Sequence, residues 1–326
     1  MAVRNRTILR QEVAFAAADA AIVDNLPVNP LSFIDVVIRG ATAAANTLPT
    51  INQMLNVLSR IEVLFRGSSV ISITPNDLFV LQSVMGWAHS TPQPHADTGL
   101  DRWAILLRVS FSRMPFWFNE GFPASRAGEL QLRLTPAAAF VNVATPSLLV
   151  ETEEILDGEF SRFLKYTQLA RTPAATGESD QDLPIGNPYA GILLFGTTVP
   201  TSTAVTASMR EVRVLMDNQE AFVPRTRWDS LHQQLSCRGG HGLDFLEHAH
   251  RLAAGAPAGD ALVENAQQDA NNIARQYGWI EFDPLRDDQY LLPTAGRSRV
   301  ALRINADVAD AQRIYPIELL TVPGAA

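Results

Sequence analysis

The chain has a single cysteine in 326 residues, Cys237, so no intrachain disulfide can staple it. Lysine is nearly missing too. Of 26 basic residues only Lys165 is lysine, and the other 25 are arginine. There is no surplus of positive charge. The formal net charge of −8 removes the global basic field that would gather nucleic acid, and no sequence-specific nucleic-acid reader is expected. No run of about 20 apolar residues occurs, so no membrane-spanning helix is expected. Residues 13–23 form an apolar stretch but carry Asp19. With Glu12 just before them they also make a poor signal-peptide core, despite Arg4, Arg6 and Arg10 ahead. The patterns G-x-x-x-x-G-K-[ST], G-x-S-x-G and H-E-x-x-H are absent as well. The sequence nominates no catalytic, cofactor-binding or metal-ligating residue.

What is present is a repetition. Arg60–Met85 (RIEVLFRGSSVISITPNDLFVLQSVM) reads as a strand, a turn and a capped helix. Arg210–Leu235 (REVRVLMDNQEAFVPRTRWDSLHQQL) reads the same way. Thr74 stands three residues before Asp77, and Thr226 three before Asp229, each 152 positions on from its counterpart. Thr-x-x-Asp is a capping-box pattern that satisfies free amides at a helix start. Ile61, Val63 and Leu64 match Val212, Val214 and Leu215 at 151 positions. Such spacing points to two tandem copies of one domain, and 326 residues accommodate two domains.

The order of elements supports this. SFIDVVIR before Gly40 resembles AGILLF before Gly196, and each glycine precedes a Thr/Ala-rich stretch. Ile51, Met54, Leu55 and Leu58 predict a short helix. Gly86 is placed to stop the helix that starts at Thr74. Trp103–Phe111 is a strand whose start is paralleled by Trp279–Phe282. ELQLRL at 129–134 alternates as a half-buried strand should, and RVALRI at 299–304 parallels it. Residues 139–155 hold one or two strands broken at Pro146. The halves differ mainly by extra residues between Asp229 and Trp279, which read as helical, with Asp260 as cap and Leu262, Val263, Ala266, Ala270, Ile273 and Tyr277 as one stripe. Many short strands, frequent Pro/Gly turns and few helices give an all-β class: two tandem jelly-roll β-sandwiches, each with a flanking helix. The predicted division is residues 1–157, with 1–10 as a terminal arm, and residues 158–326, with a helical insertion at about 237–278.

This organisation resembles the double jelly-roll major capsid proteins of icosahedral DNA viruses and phages, many with an internal membrane. DLPIGNPYAGILL at 182–194, the Thr-rich connection after it and EVRVLMD are similar to the second domain of small phage members. The resemblance covers nearly the whole chain. It implies a homotrimer of pseudo-hexagonal outline that tiles a shell through trimer–trimer contacts. It further implies a virion protein made in the host cytoplasm, non-enzymatic and without cofactor. Other capsid proteins such as a vertex protein would be partners, and the insertion would form an outward tower. An internal membrane could be met through Arg4, Arg6 and Arg10 on an inner-surface arm. A carbohydrate-binding or carbohydrate-processing double β-sandwich is the alternative, and a cupin-type metalloenzyme a third.

Remaining clusters have two readings each. Phe116, Trp117, Phe118 and Phe122 either form a subunit interface or plug one end of their own sandwich. Cys237, His241, His248 and His250 could hold zinc, but their spacing fits no zinc pattern, and a solvated helical excursion accounts for them. Glu151, Glu153, Glu154, Asp157 and Glu159 could hold calcium, but the loop lacks the central Gly and distal Glu, and a solvated junction accounts for them. Asp287 and Asp288 read as an ordinary turn. The Gly-rich stretch at 238–242 reads as a flexible connection.

Overall fold

In the computed structural model the described residues are 3–43, 49–88, 93–95, 102–117, 119–200, 204–239, 250–252, 262–264 and 273–322. The first half contains β1 (Val3–Ala14), β2 (Ile22–Asn25), β3 (Leu31–Thr42), α1 (Ile51–Leu55), β4 (Leu58–Phe65), β5 (Ser68–Ile73), α2 (Pro75–Val84), β6 (Gln93–His95), β7 (Arg102–Ser110), β8 (Leu130–Pro136) and β9 (Val143–Leu156). The second contains β10 (Arg162–Thr167), β11 (Leu169–Arg171), β12 (Gly177–Asp182), β13 (Tyr189–Gly196), β14 (Glu211–Met216), β15 (Gln219–Glu220), β16 (Thr226–Arg227) and α3 (Trp228–Gly239). It continues with β17 (His250–Leu252), β18 (Leu262–Glu264), a 3-10 turn at Ile273–Gln276, β19 (Tyr277–Glu281), β20 (Val300–Ala306) and β21 (Gln312–Thr321).

Each half places its strands in the same order. One sheet runs β1-β9-β3-β7 in the first half, and β10-β21-β13-β19 is its equivalent in the second. The facing sheet runs β2-β8-β4-β5, and its equivalent is β12-β20-β14-β15. Two such four-stranded sheets make a jelly roll. The repetition reaches residue level. Ile61 faces Leu134 and Val63 faces Leu132, while Val212 faces Ile304 and Val214 faces Leu302. The hairpin turns agree too. Arg66-Gly67 and Asp217-Asn218 each close a two-residue turn with both φ angles positive, the geometry that suits strand twist.

The two sandwiches are joined through hydrogen bonds. β10 pairs antiparallel with β21 and parallel with β5, so one nine-stranded sheet carries a face of each sandwich. This explains why β13 reads as an unbroken apolar run rather than an alternating one. Ile192 and Leu194 enter the core of the second sandwich, and Leu193 and Phe195 enter the core shared with the first. A strand buried on both faces has no polar side to show. β8, with one face outward, alternates instead.

Helix α2 follows its sequence signals. Thr74 caps it, Pro75 occupies its first turn, and Gly86 (φ 67°) ends it. Gly86 N–H bonds Ser83 C=O and Trp87 N–H bonds Gln82 C=O, the paired bonds of a Schellman stop.

Several expectations are corrected. Residues 1–10 are not an arm: Val3–Ala14 form β1, paired along β9. Thr226 is not a helix cap: it lies in β16, its hydroxyl donates to Pro224 C=O, and α3 begins at Trp228. Trp279 does lie on the strand equivalent to that of Trp103, but on the opposite face. Trp103 pairs with Gly40 toward its own core, whereas Trp279 pairs with Leu193 toward the other half. A one-residue slip is enough to exchange faces. Pro146 lies within a single strand, β9, beside a shift of register. The short helix stops at Leu55, and Leu58 begins β4. In the expected helical insertion, Leu262–Glu264 pair with His250–Leu252 as a two-stranded ribbon, and Tyr277 begins β19. His89, His241, His248, Asp260, Ala266, Ala270 and Phe118 lie outside the described residues.

Candidate functional site

With no catalytic constellation nominated, the functional element is the seam where the sandwiches meet, together with the outer surfaces that could meet other subunits. The seam is organised by α2. Asp77, fully buried in its first turn, receives hydrogen bonds from both halves. The Thr74 hydroxyl donates to its Oδ2 at 2.7 Å. Arg313 on β21 grips it twice, Nε to Oδ2 and Nη2 to Oδ1, each at 2.8 Å. The hydroxyls of Tyr277 on β19 and Tyr315 on β21 complete the set. Burial, reinforced by the Asp77 charge, pushes both phenols well above their ordinary pKa, so they remain donors. Arg313 also lies 3.4 Å over the Phe195 ring. At the other end of α2, Arg286 donates to the Met85 carbonyl at 2.5 Å, satisfying a free C-terminal acceptor. The second half thus holds this helix by both ends.

A second cluster lies beside it. Arg113 is 2% exposed. Its Nε donates to Glu120 Oε1 at 3.0 Å, Nη2 approaches Asp288 at 2.6 Å, and Nη1 bonds Asp283. Arg162 links Glu120 and Asp288. Burial opposes the Arg113 charge, but these three carboxylates outweigh it and raise its pKa. Burial pushes the Asp283 carboxyl up against the pull of Arg113. For Asp288 the arginines overcome burial and hold it low. Asp288 is therefore an exposed turn residue that also closes a largely buried network. Isolated buried charges are costly, so each of these groups depends on the others.

The acidic set divides: Asp157 and Glu159 are exposed, as expected of a solvated junction, whereas Glu151, Glu153 and Glu154 are drawn into the fold. Glu153 and Glu154 are 1% and 2% exposed. Arg4 binds Glu153 at 2.6 Å, Arg6 binds Glu151 and Asp35, and Arg10 binds Asp24 at 2.6 Å. The three arginines of the expected arm are therefore engaged within the first sandwich. Among the described residues no group of three metal-ligating side chains comes together. Cys237 is exposed on α3.

The aromatic cluster divides. Phe122 is buried, with ring centroids 5.3 Å from Phe65, 5.3 Å from Phe111 and 5.0 Å from Phe163 of the second half. It belongs to the core and not to an outer interface. Phe116 is 42% exposed, edge-on to Phe33 and beneath Arg4. Trp117 is half-buried. A second apolar surface, not anticipated from sequence, carries Phe222, Leu285 and Tyr290, all exposed. Phe222 and Tyr290 line a groove with Phe282, Pro284 and Pro293. No periodic pattern links these positions.

No protein-family model and no curated protein matches the chain. Solved structures do. The major capsid protein (MCP) of Sulfolobus turreted icosahedral virus superposes with a TM-score of 0.67 at 14% identity, over 98% of this chain and 97% of that one. The major capsid protein P2 of bacteriophage PM2 gives 0.62 at 12% identity, over 98% of both chains. A chain of the PBCV-1 virus capsid gives 0.61 at 9% identity, over 98% and 94%. The chain has the double jelly-roll fold of these proteins.

Proposed function

We propose that the chain is the major capsid protein of an icosahedral virus, a non-enzymatic virion component that assembles as a pseudo-hexagonal homotrimer. The parallel pairing of β10 with β5 carries this reading: it fuses two equivalent sandwiches into one rigid unit. Three such units offer six similar sides, the outline needed to tile a lattice from one gene product. In this reading residues 1–157 form one half-tile and 158–326 the other. The exposed Phe116 and the Phe222–Tyr290 groove, on different halves, are the surfaces to be covered by neighbouring subunits. Contacts of this head-to-tail type close into a ring when the rotation permits. Assembly would follow synthesis in the host cytoplasm, with a vertex protein at the fivefold positions.

Light scattering and negative-stain microscopy of the purified chain test this. The expected result is a stable trimer with a hexagonal outline. A monodisperse monomer that binds oligosaccharides would overturn it in favour of a carbohydrate-binding sandwich.

A further inference from the structure

The chain's sole lysine faces a buried carboxylate. Lys165 on β10 lies directly opposite Glu318 on β21, and Nζ donates to Oε1 at 3.0 Å. Glu318 is 1% exposed. Its other oxygen is also engaged: Asn187 Nδ2 donates to Oε2 at 2.9 Å. Asn187 precedes Tyr189, which pairs with Glu318 from the far side. An amine on β10 and a carboxamide on the segment leading into β13 therefore converge on one acid. Both nitrogens stand within hydrogen-bond distance of the one carboxylate, at 3.0 Å and 2.9 Å.

We infer that Lys165 and Asn187 form an intramolecular isopeptide bond, with Glu318 as the proton shuttle. Glu318 takes a proton from the Lys165 ammonium. The neutral amine adds to Cγ of Asn187. Glu318 returns that proton to Nδ2, which leaves as ammonia, and the attacking nitrogen sheds its surplus proton to the ammonia, giving ammonium. One C–N bond forms and one breaks; the ammonium and the carboxamide become an amide and a free ammonium ion. No oxidant, metal or cofactor is required.

Two features distinguish the site from an ordinary ion pair. The residue after Asn187 is Pro188, which has no backbone N–H, so the usual side-chain cyclisation of asparagine onto the next residue is closed. The asparagine backbone is also held in place: Thr294 Oγ1 donates to the Asn187 main-chain carbonyl at 2.6 Å and accepts from Gly186 N at 2.9 Å. In addition, the other 25 basic positions carry arginine, which does not give up its proton, and the one side-chain amine able to act as a nucleophile stands here. The link would tie the first strand of the second sandwich to the segment entering β13, across the last strand, β21. A chain that has no disulfide would thereby gain a covalent staple.

Denaturing intact-mass spectrometry of the full-length protein decides the question. The expected mass is the sequence mass less one ammonia, with trypsin failing to cleave after Lys165 and a fragment spectrum joining Lys165 to Asn187. K165R and E318Q should both show the full sequence mass. An unmodified wild-type mass with cleavage after Lys165 overturns the inference. So does a loss of ammonia that persists in K165R, because that would place the reaction at another asparagine or glutamine.

Discussion

Asp77 and Arg313 meet across the seam in a two-point grip, 2.8 Å at each contact, although 236 positions separate them. The carboxylate has no exposure to water and the guanidinium lies over an aromatic ring. Truncating Arg313 leaves the buried Asp77 charge with hydroxyl donors alone, and truncating Asp77 leaves the guanidinium without its carboxylate, each at a cost of about 3–5 kcal/mol. Asp77→Ala and Arg313→Ala are each expected to lose stability on that scale in urea unfolding. The double variant should lose clearly less than the sum of the two. Strict additivity would mean that the pair does not interact.

Gly191 lies against Trp279. A Cβ placed there would approach the indole to 2.3 Å, and the Ile280 carbonyl blocks retreat at 2.9 Å. Gly191→Ala should destabilise by about 1–3 kcal/mol through overpacking. Gly40→Ala beneath Trp103 should behave alike, since that Cβ would come to 2.6 Å. Thermal melts of the two variants check this, and an unchanged midpoint in either would contradict the close approach.

Phe122 and Trp117 should respond differently. Phe122→Ala opens a cavity in the core and should cost about 3–5 kcal/mol of subunit stability. Trp117→Ala should leave the melting of an isolated subunit nearly unchanged and weaken the trimer, read as a shift to smaller species in concentration-dependent light scattering. If Trp117→Ala lowers subunit stability and leaves the trimer intact, the loop belongs to its own sandwich.

Asp217 fixes the β14–β15 turn to the start of β20. Its Oδ1 accepts from Ser298 N at 2.8 Å, Ser298 Oγ at 2.7 Å and Arg299 N. These bonds, the Ser298 hydroxyl first, hold its pKa down to about 2. A carboxyl depressed in the folded state stabilises above its unfolded pKa, about 4, and the contribution is lost as pH falls through the folded value. Protection of the turn amides, measured as exchange relative to the intrinsic rate at each pH, should therefore fall between about pH 4 and pH 2. Asp217→Asn should abolish that pH dependence; a turn equally protected at both ends of this range would contradict it.

Strand order and duplication were legible because each rests on local pattern: the alternation of 129–134, the match of Ile61 and Val63 to Val212 and Val214, and the glycine after α2. Burial of charge was not legible. Arg4 and Arg6 read as a free arm because their carboxylates, Glu153 and Glu151, come about 150 residues later. Asp77 read as the capping-box partner of Thr74, and it does accept from the Thr74 hydroxyl, but its other partners Tyr277, Arg313 and Tyr315 lie in the other half. Thr226 shows the limit of motif spacing. It sits 152 positions from Thr74, yet its hydroxyl turns back to the Pro224 carbonyl and the helix starts only at Trp228. The face of Trp279 depended on a register that only pairing with β13 could set.

The parallel seam between β5 and β10 has a geometric consequence. Neighbouring strands turn by a roughly fixed angle, about −20° per pair, so the mutual tilt of the two sandwiches is written into peptide geometry rather than left to a hinge. A shell built from such pieces could not bend its bricks. Whatever radius it reached would have to come from the joints between them.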